Sequence, residues 1–334
     1  MTWLLTGGAG YIGSHVLRAM RADSLDVVVL DDLSTGDAAR VPATVPIVVA
    51  SVLDRDAVRR ALVEHEVSGV VHLAAKKSVG ESMCDPLHYY RENVLGVVSL
   101  LEAMNDAGVR RLVYSSSAAV YGTPASDSVD ETAPLRPESP YGRTKLVGEW
   151  LVGDAVALGF SSVSLRYFNV VGCADPTLAD VGGTNLFPLV MRALVMGEKP
   201  RLFGDDYPTR DGSCVRDYIH VQDLAEAHVA AARLVASTTC HEAVNIGCGR
   251  GSSVLEVLNM VGAVTGRDAT PKIIPRRPGD PAAVVAAVGK ARRLLGWQAR
   301  HGLHDMVASA WHALADDENP PARPPVLTPA GAVP

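Results

Sequence analysis

The sequence predicts an α/β fold: a doubly wound parallel sheet with a smaller C-terminal α/β lobe. Three observations predict it. Short, near-continuous apolar runs recur through the first half; helix-length stretches separate them; and after Phe168 the rhythm changes to segments rich in Gly, Pro and Asp. Strands apolar on both faces belong to a parallel sheet covered by helices, and alternating strands and helices wind it doubly.

In chain order, the strands expected are Trp3 to Thr6, Val27 to Leu30, Ile47 to Ala50, Val70 to Leu73, Leu112 to Ser115 and Val163 to Tyr167. Residues 172 to 215 open the second lobe, with one helix near 186 to 196. Val221 to Val235 reads as a helix and Ala243 to Ile246 as a short strand. The four prolines Pro271, Pro275, Pro278 and Pro281 make 271 to 281 a loop, and a last helix spans roughly 302 to 315. The division expected is 1–170 for the first domain, with 217–246 returning to it, 171–318 for the lobe, and a Pro-rich, disordered tail over 319–334. There is no internal repeat.

Composition narrows the function. A chain of 334 residues, 48% hydrophobic and 20% charged, is long enough for a substantial core. The net charge of -6 and the lack of any long Lys/Arg run argue against a nucleic-acid or anionic-membrane partner. No apolar run of membrane-spanning length and no leader are expected, so the protein reads as cytoplasmic. The five cysteines, Cys84, Cys173, Cys214, Cys240 and Cys248, are scattered without CxxC spacing. They read as free thiols, with no metal site.

The chemistry begins directly after the first strand. Thr6-Gly-Gly-Ala-Gly-Tyr-Ile-Gly13 sets Gly7, Gly10 and Gly13 in a GxxGxxG spacing between strand and helix. Such a Rossmann turn lets the backbone approach a pyrophosphate, which the helix N-terminus then attracts. Asp31 ends the second strand, where a carboxylate accepts from ribose hydroxyls and repels a 2′-phosphate, favouring NAD over NADP. Asp32 is a second candidate for that contact. Tyr141-Gly-Arg-Thr-Lys145 puts a phenol and an ammonium on one helix face, and Pro140 suits the helix start. A nearby cation favours the phenolate, so this tyrosine can move a proton on and off an alcohol. Ser115-Ser116-Ser117 closes a strand at the end facing the ligand crevice, and Ser117 is placed to meet the reacting hydroxyl.

Together these features resemble the extended short-chain dehydrogenase/reductase superfamily. Longer segments narrow the resemblance to the UDP-glucose 4-epimerases over roughly residues 2 to 300. They are Gly80-Glu81-Ser82 after Lys77, Asn93, Ser117-Ala-Ala-Val-Tyr121-Gly122, Arg166-Tyr-Phe-Asn169, Phe203-Gly-Asp-Asp-Tyr-Pro-Thr, Val215-Arg216-Asp217-Tyr218-Ile219-His220-Val221 and Arg277-Pro-Gly-Asp280. The resemblance implies a C-terminal lobe that binds substrate. It implies an NAD site made by Gly7, Gly10, Tyr11, Ile12, Gly13, Asp31, Asp32, Ser51, Val52, Leu73, Ala74, Ala75, Lys77, Asn93, Ser115, Tyr141, Lys145 and Tyr167. Lys77 would reach the cofactor ribose or phosphate, and Asn93 would line the nicotinamide pocket. Ser117, Tyr141 and Lys145 would be catalytic. A UDP-hexose would meet Ser117, Tyr141, Phe168, Asn169, Asn185, Leu186, Phe203, Arg216, Arg277, Asp280 and Val284. Of these, Phe203 would pack on uracil, Arg216 and Arg277 would hold the phosphates, and Asp280 the uridine ribose. The resemblance further implies a homodimer through helices near 86 to 107 and 141 to 158.

Three departures bear on affinity and substrate. Ser51 stands where the family usually has an adenine-contacting Asp. The stretch from Gly172 to Asn185 is short, and Val284 stands where the family carries a residue that gates bulk at the sugar. A UDP-N-acetylhexosamine or UDP-uronic acid therefore stays open as the sugar. Ala118 and Ala119 leave no acid after the serine strand, which argues against a dehydratase. The intact Ser117, Tyr141 and Lys145 argue against a non-catalytic NAD-binding regulator.

Overall fold

The computed structural model describes residues 1–180, 182, 185–277 and 280–317; the tail expected at 319–334 lies outside the described residues. A seven-stranded sheet organises the first part. Its strands are β1 (Thr2–Thr6), β2 (Asp26–Asp31), β3 (Ile47–Val49), β4 (Val67–His72), β5 (Arg111–Ser115), β7 (Ser161–Tyr167) and β11 (His241–Ile246). They lie in the order β3-β2-β1-β4-β5-β7-β11 and every neighbouring pair is parallel. The order reverses beside β1, and a ligand crevice opens at the carboxyl ends of strands around such a point. That is where the glycine turn lies.

Helices cover both faces: α1 (Tyr11–Ala22), α2 (Arg55–Glu64), α3 (Val79–Cys84), α4 (Pro86–Tyr89), α5 (Gly96–Asp106), α6 (Pro140–Asp154) and α8 (Val221–Ser237). One core layer joins Trp3, Leu5, Val29, Val71 and Val113 to Val16, Leu17, Leu224 and Ala231 of α1 and α8. The other joins Leu4, Val28, Val70 and Leu112 to Val58, Leu62, Leu100 and Met104 of α2 and α5. Alternate residues of each strand thus feed opposite layers, as the two-residue pleat requires.

The remaining elements form the second part. β6 (Ser128–Val129), β8 (Asn169–Val171), β10 (Val215–His220), β12 (Gly251–Ser253) and β14 (Ala283–Ala286) make a small mixed sheet around β10. β9 (Arg201–Phe203) pairs with β13 (Lys272–Ile274). Helices α7 (Leu186–Val195), α9 (Val254–Thr265), α10 (Gly289–Leu295) and α11 (Leu303–Asp317) complete it. A third core, with Phe187, Met191, Tyr218, Leu258 and Val307, sits among α7, α9 and α11.

Three expectations need correction. The loop at 271–281 contains β13, because Lys272–Ile274 gains a hydrogen-bonded partner in β9 that no local pattern announces. The return to the large sheet begins at α8 rather than at residue 217, since 217–220 pair within the small sheet. The helix expected over 86–107 is broken into α4, a π-helical turn over Tyr90–Leu95, and α5.

Candidate active site

The glycine turn is built as its spacing requires. Gly7 has φ +72°, and a Cβ there would lie 2.7 Å from the Ala74 amide nitrogen. A methyl on Gly13 would overlap the Gly7 carbonyl oxygen, so strand and helix meet at backbone contact. Gly10 caps α1 without any side-chain acceptor. The first amides of a twelve-residue helix therefore point at the crevice without a side-chain cap, a ready site for an anionic diphosphate. Leu73 and Ala74 close the adjacent wall, their amides held by the Thr6 carbonyl (3.1 Å) and hydroxyl (3.3 Å).

Asp31 ends β2 with its carboxylate against this turn, accepting from Ala9 N and Leu33 N, each at 2.9 Å. Burial raises its pKa against these two hydrogen bonds. Asp32 accepts from Ser34 N in an Asx turn, leaving its second oxygen free for a ligand hydroxyl. Ser51 spends its hydroxyl on Leu53 N (3.2 Å), and Val52 is buried behind it. Tyr11 donates to the Gly172 carbonyl at 2.6 Å, so Tyr11 and Ile12 can offer a cofactor only backbone and apolar surface.

The redox pair sits on α6. Ser139 caps the helix by accepting from Gly142 N (3.1 Å), and Pro140 takes the first turn. Gly148 lets α6 lie directly on the Tyr114 hydroxyl. Tyr141 is buried, edge-on to Tyr89 at 6.5 Å, and the Ser117 hydroxyl accepts from Ala119 N at 3.2 Å. Burial pushes its phenol up and the Ser117 contact pulls it down. Lys145 is 3% exposed, donates from Nζ to the Ser115 carbonyl at 2.8 Å and lies 5.3 Å over the Tyr114 ring. Its pKa is lowered to about 8 by burial, opposed by Glu149. Lys145 is thus held on a backbone carbonyl one helical turn from Tyr141, with its charge on the same face of α6. Tyr167 and Ser115 line the floor, where the Ser115 hydroxyl meets His228 Nε2 at 3.0 Å.

Other expected residues have other duties. The Asn93 amide is fully engaged: Oδ1 accepts from Lys76 N (2.8 Å), and Nδ2 donates to Lys76 O (3.0 Å) and Thr144 Oγ1 (3.0 Å). These bonds fix its orientation in the wall beside Thr144 of α6. Lys77 is exposed, whereas the neighbouring Lys76 reaches Ser34 Oγ at 3.3 Å, beside the Asp32 turn.

Across the crevice, β10 carries Arg216, which donates to the Pro281 carbonyl (2.8 Å) and pairs with Asp280 at 3.1 Å. Asp217, next in the strand, is fully buried and accepts from Cys248 N, Gly249 N and Ala286 N, locking β10 to β14 and to the turn after β11. Its pKa is nonetheless raised to about 6 by burial. The Arg277 guanidinium stacks 3.7 Å from the centroid of Phe203, so the two expected ligand contacts also contact each other. Val284 pairs in register with Arg216 and is buried with Phe168, Tyr121 and Leu146. Asn169 is exposed at the head of β8. Asn185 precedes α7 and donates to Asp180 (2.9 Å), with Leu186 half-buried behind it.

An uncapped glycine turn, a buried Tyr/Lys pair and an arginine-bearing strand across one crevice suit a dinucleotide on one side and a phosphorylated substrate on the other. Comparisons with known proteins agree. The UDP-glucose 4-epimerase of Bacillus subtilis (strain 168) is 42% identical, covering 96% of this chain and 98% of the relative. That of Streptomyces lividans is 45% identical, covering 92% and 94%. The crystal structure of UDP-glucose-4-epimerase from Stenotrophomonas maltophila, with bound NAD and formylated UDP-arabinopyranose, superimposes with a TM-score of 0.92 at 42% identity, covering 96% of this chain and 100% of that one. Residues 3–247 match the NAD dependent epimerase/dehydratase family, and this chain belongs to it.

Proposed function

We propose that this chain is an isomerase that interconverts UDP-glucose and UDP-galactose at C4 through a transient 4-keto sugar, using NAD. The observation that carries the reading is the buried Tyr141 phenol, one turn before Lys145 on α6, a helix that packs through Leu146 in one cluster with Val284, the register partner of Arg216. The residues fit the cofactor: the Gly7–Gly13 backbone and the α1 N-terminus suit its pyrophosphate, and the carboxylates of Asp31 and Asp32 its ribose. NAD, when bound, supplies a hydride acceptor and donor.

Tyr141 takes the proton from the sugar 4-hydroxyl and later returns it, with Ser117 hydrogen-bonding the same oxygen. Lys145 holds a positive charge in the pocket beneath. The two arginines anchor the diphosphate, so remote binding energy retains the nucleotide while the keto sugar turns between faces. The net outcome is isomerisation.

Val284 favours a second reading of the sugar: it is a short side chain packed with Phe168, where a larger one would take up more volume, and a shorter one suits a 2-acetamido group. UDP-galactose and UDP-N-acetylgalactosamine assayed side by side test both. Turnover of the first supports the main reading, efficient turnover of both supports the wider pocket, and turnover of neither overturns the proposal.

The division into an NAD-binding domain over 1–170, joined by α8 and β11 from the returning segment, and a nucleotide-sugar lobe over the rest of 171–318 is part of the same proposal, supported by the core that α8 and β11 share with the large sheet and the separate core among α7, α9 and α11. A homodimer is supported by exposed apolar residues on the expected helices: Leu87 is 78% exposed, Trp150 59% and Leu95 54%. Five free cysteines suit a reducing cytoplasm, and among the described residues no helix is long and apolar enough to cross a membrane.

A further inference from the structure

A buried polar network lies directly behind the catalytic pair. Glu149 is on α6, one turn after Lys145 and two after Tyr141, so all three share a helix face. It is 8% exposed and Arg166, on β7, is 4% exposed. They form a two-pronged ion pair, with Arg166 Nε to Glu149 Oε1 at 2.9 Å and Nη2 to Oε2 at 2.6 Å. Ser116 also donates its hydroxyl to Glu149 Oε1. Arg166 continues through Nη1 to the Tyr121 hydroxyl (3.0 Å), which donates to Asn245 Oδ1 (2.7 Å) on β11. One carboxylate thus ties the strand end that carries Ser117 to the helix that carries Tyr141 and Lys145.

We propose that Glu149 is a positioning residue for the Tyr141/Lys145 pair: its carboxylate fixes the serine strand end against α6 and supplies the negative charge that keeps the Lys145 ammonium charged. A burial this deep demands compensation, because an isolated ammonium in a dry pocket loses its proton. The groups around Lys145 are His72 from β4, Tyr114 from β5, and Tyr141 and Glu149 from its own helix. His72 is held neutral, its pKa lowered to about 3 by burial and by Lys145. Tyr114 is pushed well up by burial and stays neutral, and burial likewise raises the Tyr141 phenol in the cofactor-free chain. Arg166 is already engaged by Glu149. Among the described residues, Glu149 is the one neighbouring charge that favours the Lys145 ammonium.

The role of Glu149 rests on the functional reading above only for its consequence in turnover. Its effect on Lys145 can be read in NAD-free protein. The chain has six lysines, so side-chain 15N-lysine NMR can resolve Lys145. Two variants are compared with the parent: Glu149→Gln, and Glu149→Gln with Arg166→Met, which avoids a stranded buried guanidinium if the single variant fails to fold. The expected result is a Lys145 titration about 1 pH unit lower or more in Glu149→Gln, and a smaller shift in the double variant, which also removes the Arg166 cation. The alkaline limb of kcat in Glu149→Gln should shift by the same amount, with KM within about twofold of the parent. An unmoved Lys145 titration in folded Glu149→Gln overturns the proposal; if only the double variant folds, a kcat equal to the parent's does so. A lowered titration with no epimerase activity even in the parent leaves the Glu149–Lys145 coupling standing and counts against the functional reading instead.

Discussion

Replacing Lys145 with methionine should make the NAD-free protein more stable at neutral pH while removing its activity. Lys145 titrates at about 8 in the folded chain, against 10.5 when exposed, and burial is the cause. Between those values the unfolded chain binds a proton that the folded chain does not, so stability rises with pH there. Below pH 8 both states are protonated and the whole penalty is present, about 2.5 units or ~3 kcal/mol at 1.36 kcal/mol per unit. Methionine matches the length of the aliphatic stem and carries no charge, but it strands the Ser115 carbonyl, now satisfied at 2.8 Å. That loss costs about 1–2 kcal/mol. The net gain is then roughly 1–2 kcal/mol at pH 7, falling by about 1.4 kcal/mol on going to pH 9 as the native lysine discharges. Urea midpoints of the parent and Lys145→Met, measured without cofactor at both pH values, check this. A variant that is equally destabilised at pH 7 and pH 9 would refute the reasoning, because it would mean that the buried amine carries no charging penalty.

Other outcomes follow from the same geometry. Tyr141→Phe should lower kcat by about 10²–10⁴ while leaving bound NAD in place, read by turnover and by absorbance of released cofactor. Gly13→Ala forces a methyl onto the Gly7 carbonyl, so NAD affinity should fall with a loss of about 1–3 kcal/mol in apoprotein stability, checked by calorimetry and melting. Val284→Tyr should depress turnover of UDP-N-acetylgalactosamine relative to UDP-galactose; an unchanged ratio removes Val284 from sugar selection.

Much of the large sheet was legible because its signals are local. The central strands β1, β2, β4 and β5 are apolar on both faces, and the glycine turn announces the reversal beside β1. The small sheet was hidden for the opposite reason. β6, β8, β12 and β14 have two to four residues each and acquire strand geometry only by pairing around β10 or β14. α9 did carry a readable signal, the Ser253–Glu256 capping box, which the eye passes over beside so many glycines.

At the site, residue identity was readable and residue pairing was not. Tyr141 and Lys145 share a face because four residues make about one helical turn, but nothing in YxxxK reveals that the amine is held on the Ser115 carbonyl. Nor does the sequence reveal that Asn93, named as a cofactor contact, also bridges Lys76 and Thr144, contacts 17 and 51 residues away in sequence. The Glu149–Arg166 pair is equally non-local, although a glutamate four residues beyond Lys145 on the same face was a usable hint.

The central claim is that hydride leaves C4 of the sugar and returns to the same carbon. UDP-galactose deuterated at C4, incubated with the purified protein and no added reductant, tests it most directly. The account predicts UDP-glucose with the deuterium still at C4. Deuterium lost to solvent or free cofactor, or a keto sugar accumulating in stoichiometry with reduced cofactor, would contradict it.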